Sequence, residues 1–363
     1  MLKKNLSKII IYFAVLILLS VSMCFCTLLD NCIYNIIATE NHIIANDKML
    51  VHFIDVGQAD AVAINFPNGE IALIDTGSFY SANKLISYLD SYVMPLGNGN
   101  IDYLFFSHAD EDHTGGINSV LFNYNVKNIV RPRQYANFEV LESDYDAYFE
   151  DDNDTFNNTM TMVYNEVSNG ANLIKAQDLM HFNIGKATVD IFYPNTKPAD
   201  SNNFSYYIKV EYNKYSLLFT GDAGKESEEK LVSKYGNLIN CDVLKVAHHG
   251  SSTSSSSSFL NAVSPMYAVI SVGTNDFGHP TSNVINSLKD SGVNKILRTD
   301  LEGNILFVIG EQIGYITGEF FISTIEFSSL QLSWCLTFIW ICYGFYLFYT
   351  TFGNMILCKI KHN

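Results

Sequence analysis

Read as a pattern of apolar and polar positions, the chain falls into three parts. Ile9 to Leu29 and Leu330 to Leu357 carry no charged residue, whereas the stretch between them alternates and recurs in the manner of a folded domain. Met49–Val56 alternates and is rich in β-formers, which predicts a strand. Ala61–Phe66 and Glu70–Asp75 flank Pro67-Asn68-Gly69 and predict a hairpin. Leu85, Ile86, Leu89 and Val93 recur at helical spacing, and Ile101–Phe106 reads as a short, fully buried strand. The same order returns further along: Tyr206–Tyr212 and Tyr215–Thr220 about Asn213-Lys214, a polar-faced helix over Lys225–Tyr235, and a buried strand over Asp242–Ala247. Two hairpin–helix–strand halves predict two packed sheets with helices outside and a site at their junction.

The terminal runs are each long enough to span the roughly 30 Å hydrocarbon core of a bilayer as a helix. Lys3, Lys4 and Lys8 precede the first, and Lys359 and Lys361 follow the second. The positive-inside rule then puts both ends in the cytoplasm and the body outside, a two-pass cell-membrane protein with an extracellular domain. A cleaved signal peptide is the competing reading of the first run, although its apolar region is usually shorter. The expected organisation is a signal anchor over 1–29, a linker over 30–48, the domain over 49–310, a linker over 311–329, a membrane segment over 330–357 and a tail over 358–363. An insertion is expected at about 133–181, because that part fits neither half.

Composition narrows the field. The 363 residues are 48% hydrophobic and 16% charged, enough for a real core, and 22 basic against 37 acidic side chains give a net charge of −15. That excludes a broad electrostatic grip on nucleic acid, though not a local basic groove. Between the terminal runs the only cysteines are Cys32 and Cys241, so neither a disulfide framework nor a cysteine zinc site is indicated. Glu139 to Asp154 is rich in carboxylates with Tyr145, Tyr148 and Phe149 among them; it reads as a solvated insertion, or as an acidic aromatic lid suited to a cationic group such as choline. The serine run Ser251–Ser258 directly follows His248-His249-Gly250, which favours a tight polar loop with serine capping the helix around Phe259.

Chemistry concentrates where the buried strands end. The first is followed by His108-Ala109-Asp110-Glu111-Asp112-His113 and the second by His248-His249. Residues two apart in an extended segment point the same way, so His108 and Asp110 can hold one metal ion, while a tight turn at Asp112-His113 aims a second pair at another. Gly115-Gly116 would let the backbone enter a helix close by. The plain alternative is a polar turn in which aspartate caps that helix.

His108-x-Asp110-x-Asp112-His113 with Gly115-Gly116 resembles the His-x-His-x-Asp-His signature of the metallo-β-lactamase fold. Asp55-Val56-Gly57-Gln58, Thr220-Gly221-Asp222, Val243 to Ser251, and Gly278-His279-Pro280 more narrowly resemble the C-terminal hydrolase domain of ComEC-type competence proteins. The resemblance implies an α/β (α+β) αββα sandwich built by internal duplication, here flanked by an N-terminal and a C-terminal transmembrane helix. It implies two divalent ions, zinc or manganese: His108 and Asp110 on one, Asp112 and His113 on the other, Asp222 bridging, and His248 or His249 completing the set. The ligand set taken forward is His108, Asp110, Asp112, His113, Asp222 and His248. Asp112, His249 and His279 are the catalytic candidates, and Asp75, Asp55 and Asn203 are implied to stand behind the ligands.

The chain departs from the pattern in places. Asp110 replaces the superfamily's usual histidine, which hardens that subsite toward manganese or magnesium. Ala59 stands where the family has glycine, and no histidine fills the middle ligand position unless His181 serves. Asn202-Asn203-Phe204-Ser205 resembles a family motif that could contact substrate instead. ComEC-type proteins surround this domain with many membrane helices, so two segments do not support a DNA channel. The expected function is a membrane-anchored metal-dependent phosphodiesterase or nuclease acting on a phosphodiester or small ester, single-stranded DNA among them. A phosphorylcholine esterase and a non-catalytic metal-binding surface protein are the alternatives.

Overall fold

The computed structural model describes residues 42–132, 161, 163, 165–167, 169–193, 201–318 and 320–323. The chain divides into two units, one of residues 1–44 and 323–363 and one of residues 45–322. The short strand β1 (His42–Ile44) is the described part of the first, apart from Ser323. Among the described residues no helix is long and apolar enough to cross a membrane; both expected membrane runs, and the acidic stretch Glu139 to Asp154, lie outside them.

The unit of residues 45–322 holds two sheets. In chain order the first contains β2 (Met49–Phe53), β3 (Val62–Asn65), β4 (Ile71–Ile74), β5 (Ile101–Phe105), β6 (Val126–Arg131) and β7 (Asn172–Lys175). The second contains β8 (Met180–Ile184), β9 (Ala187–Phe192), β10 (Tyr207–Tyr212), β11 (Tyr215–Phe219), β12 (Val243–Lys245), β13 (Tyr267–Ile270) and β14 (Lys295–Arg298). The chain then returns to the first sheet with β15 (Ile305–Ile309) and β16 (Ile313–Thr317) and ends its described course in β17 (Phe321–Ser323). Strand orders are β16-β15-β2-β3-β4-β5-β6-β7 and β14-β13-β12-β11-β10-β9-β8.

The expected repeat is present in the pairing. β3 and β4 form an antiparallel hairpin, and β5 then pairs parallel to β4; β10 and β11 form the second hairpin, and β12 pairs parallel to β11. Each parallel step needs a crossover. The first is the helix Ala82–Tyr88 with its continuing turn Leu89–Val93, the second the helix Lys225–Tyr235. Within the stretch expected as an insertion, about 133–181, Asn172–Lys175 extends the first sheet parallel to β6 and Met180 opens the second. Those short segments are half exposed at sheet edges, so they lack the apolar signature of the central strands.

Alternation along the strands builds the layers. Val51, Phe53, Phe105 and Phe307 from the first sheet meet Ile208, Val210, Leu217 and Phe219 from the second in one buried core, with the Phe53 ring 5.9 Å from Phe219 and 5.8 Å from Phe307. The intervening Tyr207, Leu218 and Leu244 turn outward onto Leu231, Tyr235, Phe259 and Leu260 of the covering helices. This is a helix–sheet–sheet–helix arrangement, in which β4, β5, β11 and β12 release their loops at their carboxyl ends.

On the outer face of the first sheet, His52 is fully buried between Tyr88 and Asn65. Its Nδ1 lies 3.0 Å from the Tyr88 hydroxyl and its Nε2 3.0 Å from Asn65 Oδ1. A neutral ring satisfies both contacts, donating from Nε2 and accepting at Nδ1. Burial therefore drives its pKa down to about 3, against a smaller opposing pull from Asn65. A histidine depressed in the folded state contributes stability that is complete above its unfolded pKa, about 6.5, and is lost as pH falls from there toward about 3. Denaturant unfolding should therefore show the natural protein losing about 2 kcal/mol more than His52→Gln between pH 7.5 and pH 5. Equal losses in the two proteins would contradict the assignment.

Candidate metal centre

Four loops from the parallel strands meet at the sheet junction. The loop after β4 carries Asp75, that after β5 carries His108 to His113, that after β11 carries Asp222, and that after β12 carries His248 and His249. One ligand atom from each of Asp112, His113, Asp222 and His249 lies within 4.8 Å of the others. His113 Nε2 is 3.2 Å from Asp222 Oδ1, and His249 Nε2 is 3.1 Å from Asp112 Oδ2 and 3.7 Å from Asp222 Oδ2. His108 and Asp110 stand beside this group as a pair, Nε2 to Oδ2 at 3.5 Å, with the His108 ring 4.1 Å from that of His113. Asp110 precedes the helical turn Glu111–Thr114, yet its side chain makes no capping bond, so the helix-cap alternative does not describe it.

The ring nitrogens behind the site are tied down. His113 Nδ1 meets Asp75 Oδ2 at 2.8 Å, and Asp75 is itself held by the Ser107 backbone N–H at 2.8 Å and the Ser107 hydroxyl at 2.7 Å. His249 Nδ1 donates to the Ser271 carbonyl at 2.8 Å. Both rings thus present Nε2 to the junction, the arrangement in which an outer partner fixes a metal-binding tautomer. His108 Nε2, His113 Nε2 and Asp222 Oδ1 are buried without a hydrogen-bond partner. Such atoms are costly unless something else satisfies them, and imidazole with carboxylate is a donor set that divalent zinc, manganese or iron accepts. The residues therefore fit a metal ion.

Electrostatics agree. Burial opposes charge on Asp112, yet His113 and His249 beside it hold its pKa down at about 2. Burial likewise opposes ionisation of Asp222, and the charges of His113 and His249 overcome it, keeping this carboxyl well below the usual range. Burial would discharge His113, but the carboxylates of Asp222, Asp75 and Asp112 raise its pKa well above the ordinary value. A junction that draws protons onto buried imidazoles is one built to hold positive charge.

Between the paired histidines, the geometry favours His249 as the ligand over His248. Both have left-handed backbones, φ 51° at each, and Gly250 follows at φ 82°. The turn sends His249 inward and leaves His248 at the mouth, where its Nδ1 meets Thr253 Oγ1 at 3.1 Å, the Asn202 amide lies 3.4 Å away, and Nε2 is 3.8 Å from Asp222 Oδ2. His279 lies outside the four-residue group, its ring 5.5 Å from that of His248; burial first, then His248 and His249, lower its pKa. The expected supporting role of Asp55 is corrected: its carboxylate binds Lys84 Nζ at 2.6 Å and the Gly57 N–H at 3.1 Å, stapling its own loop. Asn203 accepts from Gly224 N–H at 2.9 Å, fixing the loop of Asp222, and Ser205 Oγ accepts from Asp222 N–H at 3.1 Å. His181 sits on β8, half exposed and 2.7 Å from Asp190, and belongs to neither candidate ligand group.

The sequence reading assigned no role to Asp60 and Lys245. They form a buried ion pair at 2.5 Å behind the histidines, with Asp60 Oδ1 3.5 Å from His249 Nδ1 and Oδ2 3.9 Å from His113 Nδ1. Lysine amid a buried strand was the available signal. Gly115-Gly116 also acts differently from the expectation: a Cβ at Gly116 would lie 2.1 Å from the Thr76 carbonyl, so the glycines admit the Asp75 loop.

Residues 54–172 match the family model of the metallo-beta-lactamase superfamily. The chain is 29% identical to ComE operon protein 3 of Bacillus subtilis over 73% of its own length and 33% of that protein's. It is 48% identical to competence protein ComA of Neisseria gonorrhoeae over 31% of its length and 16% of the relative's, and 30% identical to recombination protein 2 of Haemophilus influenzae over 61% and 24%. The chain thus spans a third or less of these curated relatives. Among solved structures, the metallo-β-lactamase fold protein YhfI from Bacillus subtilis aligns with 74% of this chain and 100% of its own, at 13% identity and a TM-score of 0.46.

Three substitutions test the site. Asp75→Asn should weaken manganese binding about 10- to 100-fold by loosening His113, whereas His181→Ala should leave the metal content measured by mass spectrometry unchanged. A metal loss in His181→Ala equal to that in His249→Ala would show that the centre has been misplaced.

Proposed function

We propose that this chain, which carries a metallo-β-lactamase superfamily domain and is related to ComEC-type competence proteins, is a metal-dependent phosphodiesterase or nuclease. The observation that carries the reading is the convergence of Asp112, His113, Asp222 and His249, whose buried His113 Nε2 and Asp222 Oδ1 make no well-formed hydrogen bond. His108, Asp110, Asp112, His113, Asp222 and His249 would hold divalent ions, zinc or manganese. What such ions add when bound is Lewis acidity at the ester and a lowered pKa for water.

The remaining work falls to the chain. Asp75 and the Ser271 carbonyl hold the imidazoles of His113 and His249 in place, so no reorganisation is needed when substrate enters. His248, a quarter exposed and 3.8 Å from Asp222, is placed to donate a hydrogen bond to a substrate oxygen or a proton to the leaving group. Hard carboxylate ligands favour hard divalent ions, and such ions, once held, would neutralise the charge of a phosphodiester. The purified protein should hydrolyse bis(p-nitrophenyl) phosphate with added manganese or zinc, and Asp222→Asn should lose metal together with at least about 100-fold in kcat/KM, roughly the 3 kcal/mol that one electrostatic contact supplies. No turnover with any divalent ion would favour a binding role and sink the hydrolase reading.

The two apolar runs, Ile9 to Leu29 and Leu330 to Leu357, are proposed to anchor the domain on the outer side of the membrane. Protease added to intact cells should then remove the body. Protection of the body until lysis would place it in the cytoplasm.

A further inference from the structure

Four large aromatic side chains are strongly exposed among the described residues: Phe79 at 66%, Tyr80 at 92%, Phe122 at 89% and Phe277 at 75%. Single exposed apolar residues need no explanation. Here, however, Phe79 and Phe277 are each tied to a residue of the loops around the metal centre. The Phe79 N–H donates to Glu111 Oε1 at 2.7 Å, and Glu111 stands between Asp110 and Asp112. Phe277 lies stacked on His279, centroids 5.7 Å apart and planes at 26°.

From Phe277 a chain of ring contacts runs inward. His279 meets His248 at 5.5 Å, His248 meets His249 at 6.4 Å, and His249 meets His113 at 5.7 Å. The loop bearing Phe277 is fixed by one side chain: Asn275 Oδ1 accepts from the N–H groups of Phe277 and His279, and its amide donates to the carbonyls of Gly273 and His279. Gly273 in turn is pinned to the other half, since its N–H donates to Gln58 Oε1 at 3.2 Å. An aromatic ring three-quarters exposed is therefore held on a braced loop, backed on one face by an imidazole, two ring contacts from a histidine beside Asp222.

We propose that Phe277, supported by His279, is a stacking platform that determines specificity by taking a planar ring carried next to the scissile ester. Stacking is sequence-tolerant and strongest for flat, polarisable rings such as nucleobases, while an ester flanked by aliphatic groups gains little from it. Position supports the role: the platform adjoins His248, the residue at the mouth, so a ring on Phe277 and an ester at Asp222 belong to neighbouring groups of one substrate. The inference rests on the phosphodiester reading and adds which side of the site selects the flanking group.

The test is equilibrium binding of the full chain, with manganese, to two non-hydrolysable phosphorothioate-linked dinucleotides of equal charge, one with both thymines and one abasic. The natural protein should prefer the base-bearing ligand about tenfold. Phe277→Ala should remove the preference, Phe277→Trp should keep or increase it, and Phe122→Ala, at an exposed position of the helix Ile117–Asn123, should leave it unchanged. Equal binding of both ligands by the natural protein, or an undiminished preference in Phe277→Ala, overturns the platform while hydrolysis of bis(p-nitrophenyl) phosphate still stands. Failure to bind either dinucleotide, together with no hydrolysis, overturns the phosphodiester reading and the platform with it.

Discussion

Asp222 is a carboxylate only 3% exposed at the junction of two sheets, and a buried anion persists only where positive charge or hydrogen bonds answer it. Much of the architecture can be read as meeting that requirement. The Ser205 hydroxyl fixes its backbone, His113 and His249 reach it from opposite halves of the duplication, and Asp75 and the Ser271 carbonyl hold those imidazoles in turn. Apart from Ser205, which precedes β10, each of these residues lies in the segment that follows the carboxyl end of a strand. The parallel pairing of β4 with β5 and of β11 with β12 brings those ends to one edge.

The Asp60–Lys245 pair extends the same logic one layer deeper. A lysine ammonium inside a sheet needs an anion, and its partner Asp60 also lies within 4 Å of a ring nitrogen of both His113 and His249. An ion pair of this kind contributes little net stability, because desolvation offsets the attraction; removing one partner would leave a bare charge beside the ligands. Its effect is to place one fixed cation among clustered carboxylates, leaving the junction anionic enough to attract metal without expelling its own aspartates.

Much of this was legible in the sequence, and the misses have physical causes. The hairpins around Pro67-Asn68-Gly69 and Asn213-Lys214, the helix Lys225–Tyr235 and the serine cap were readable because turn chemistry and apolar spacing are local; Ser256 accepts from Phe259 N–H as a cap should. β7 and β8 were not, because edge strands are only half buried. The choice between His248 and His249 depends on two consecutive left-handed residues, a conformation L-residues adopt only when their surroundings impose it. Asp55 shares a loop with the site but is drawn outward by Lys84, a contact between residues 29 apart that no motif reveals.

If the junction holds divalent metal on Asp222, the ion should be visible directly. Anomalous diffraction from crystals grown with manganese tests this. A strong peak should lie among Asp112, His113, Asp222 and His249 and be absent from Asp222→Asn crystals; a junction without a peak, or a peak that survives the substitution, would show that Asp222 does not hold the metal.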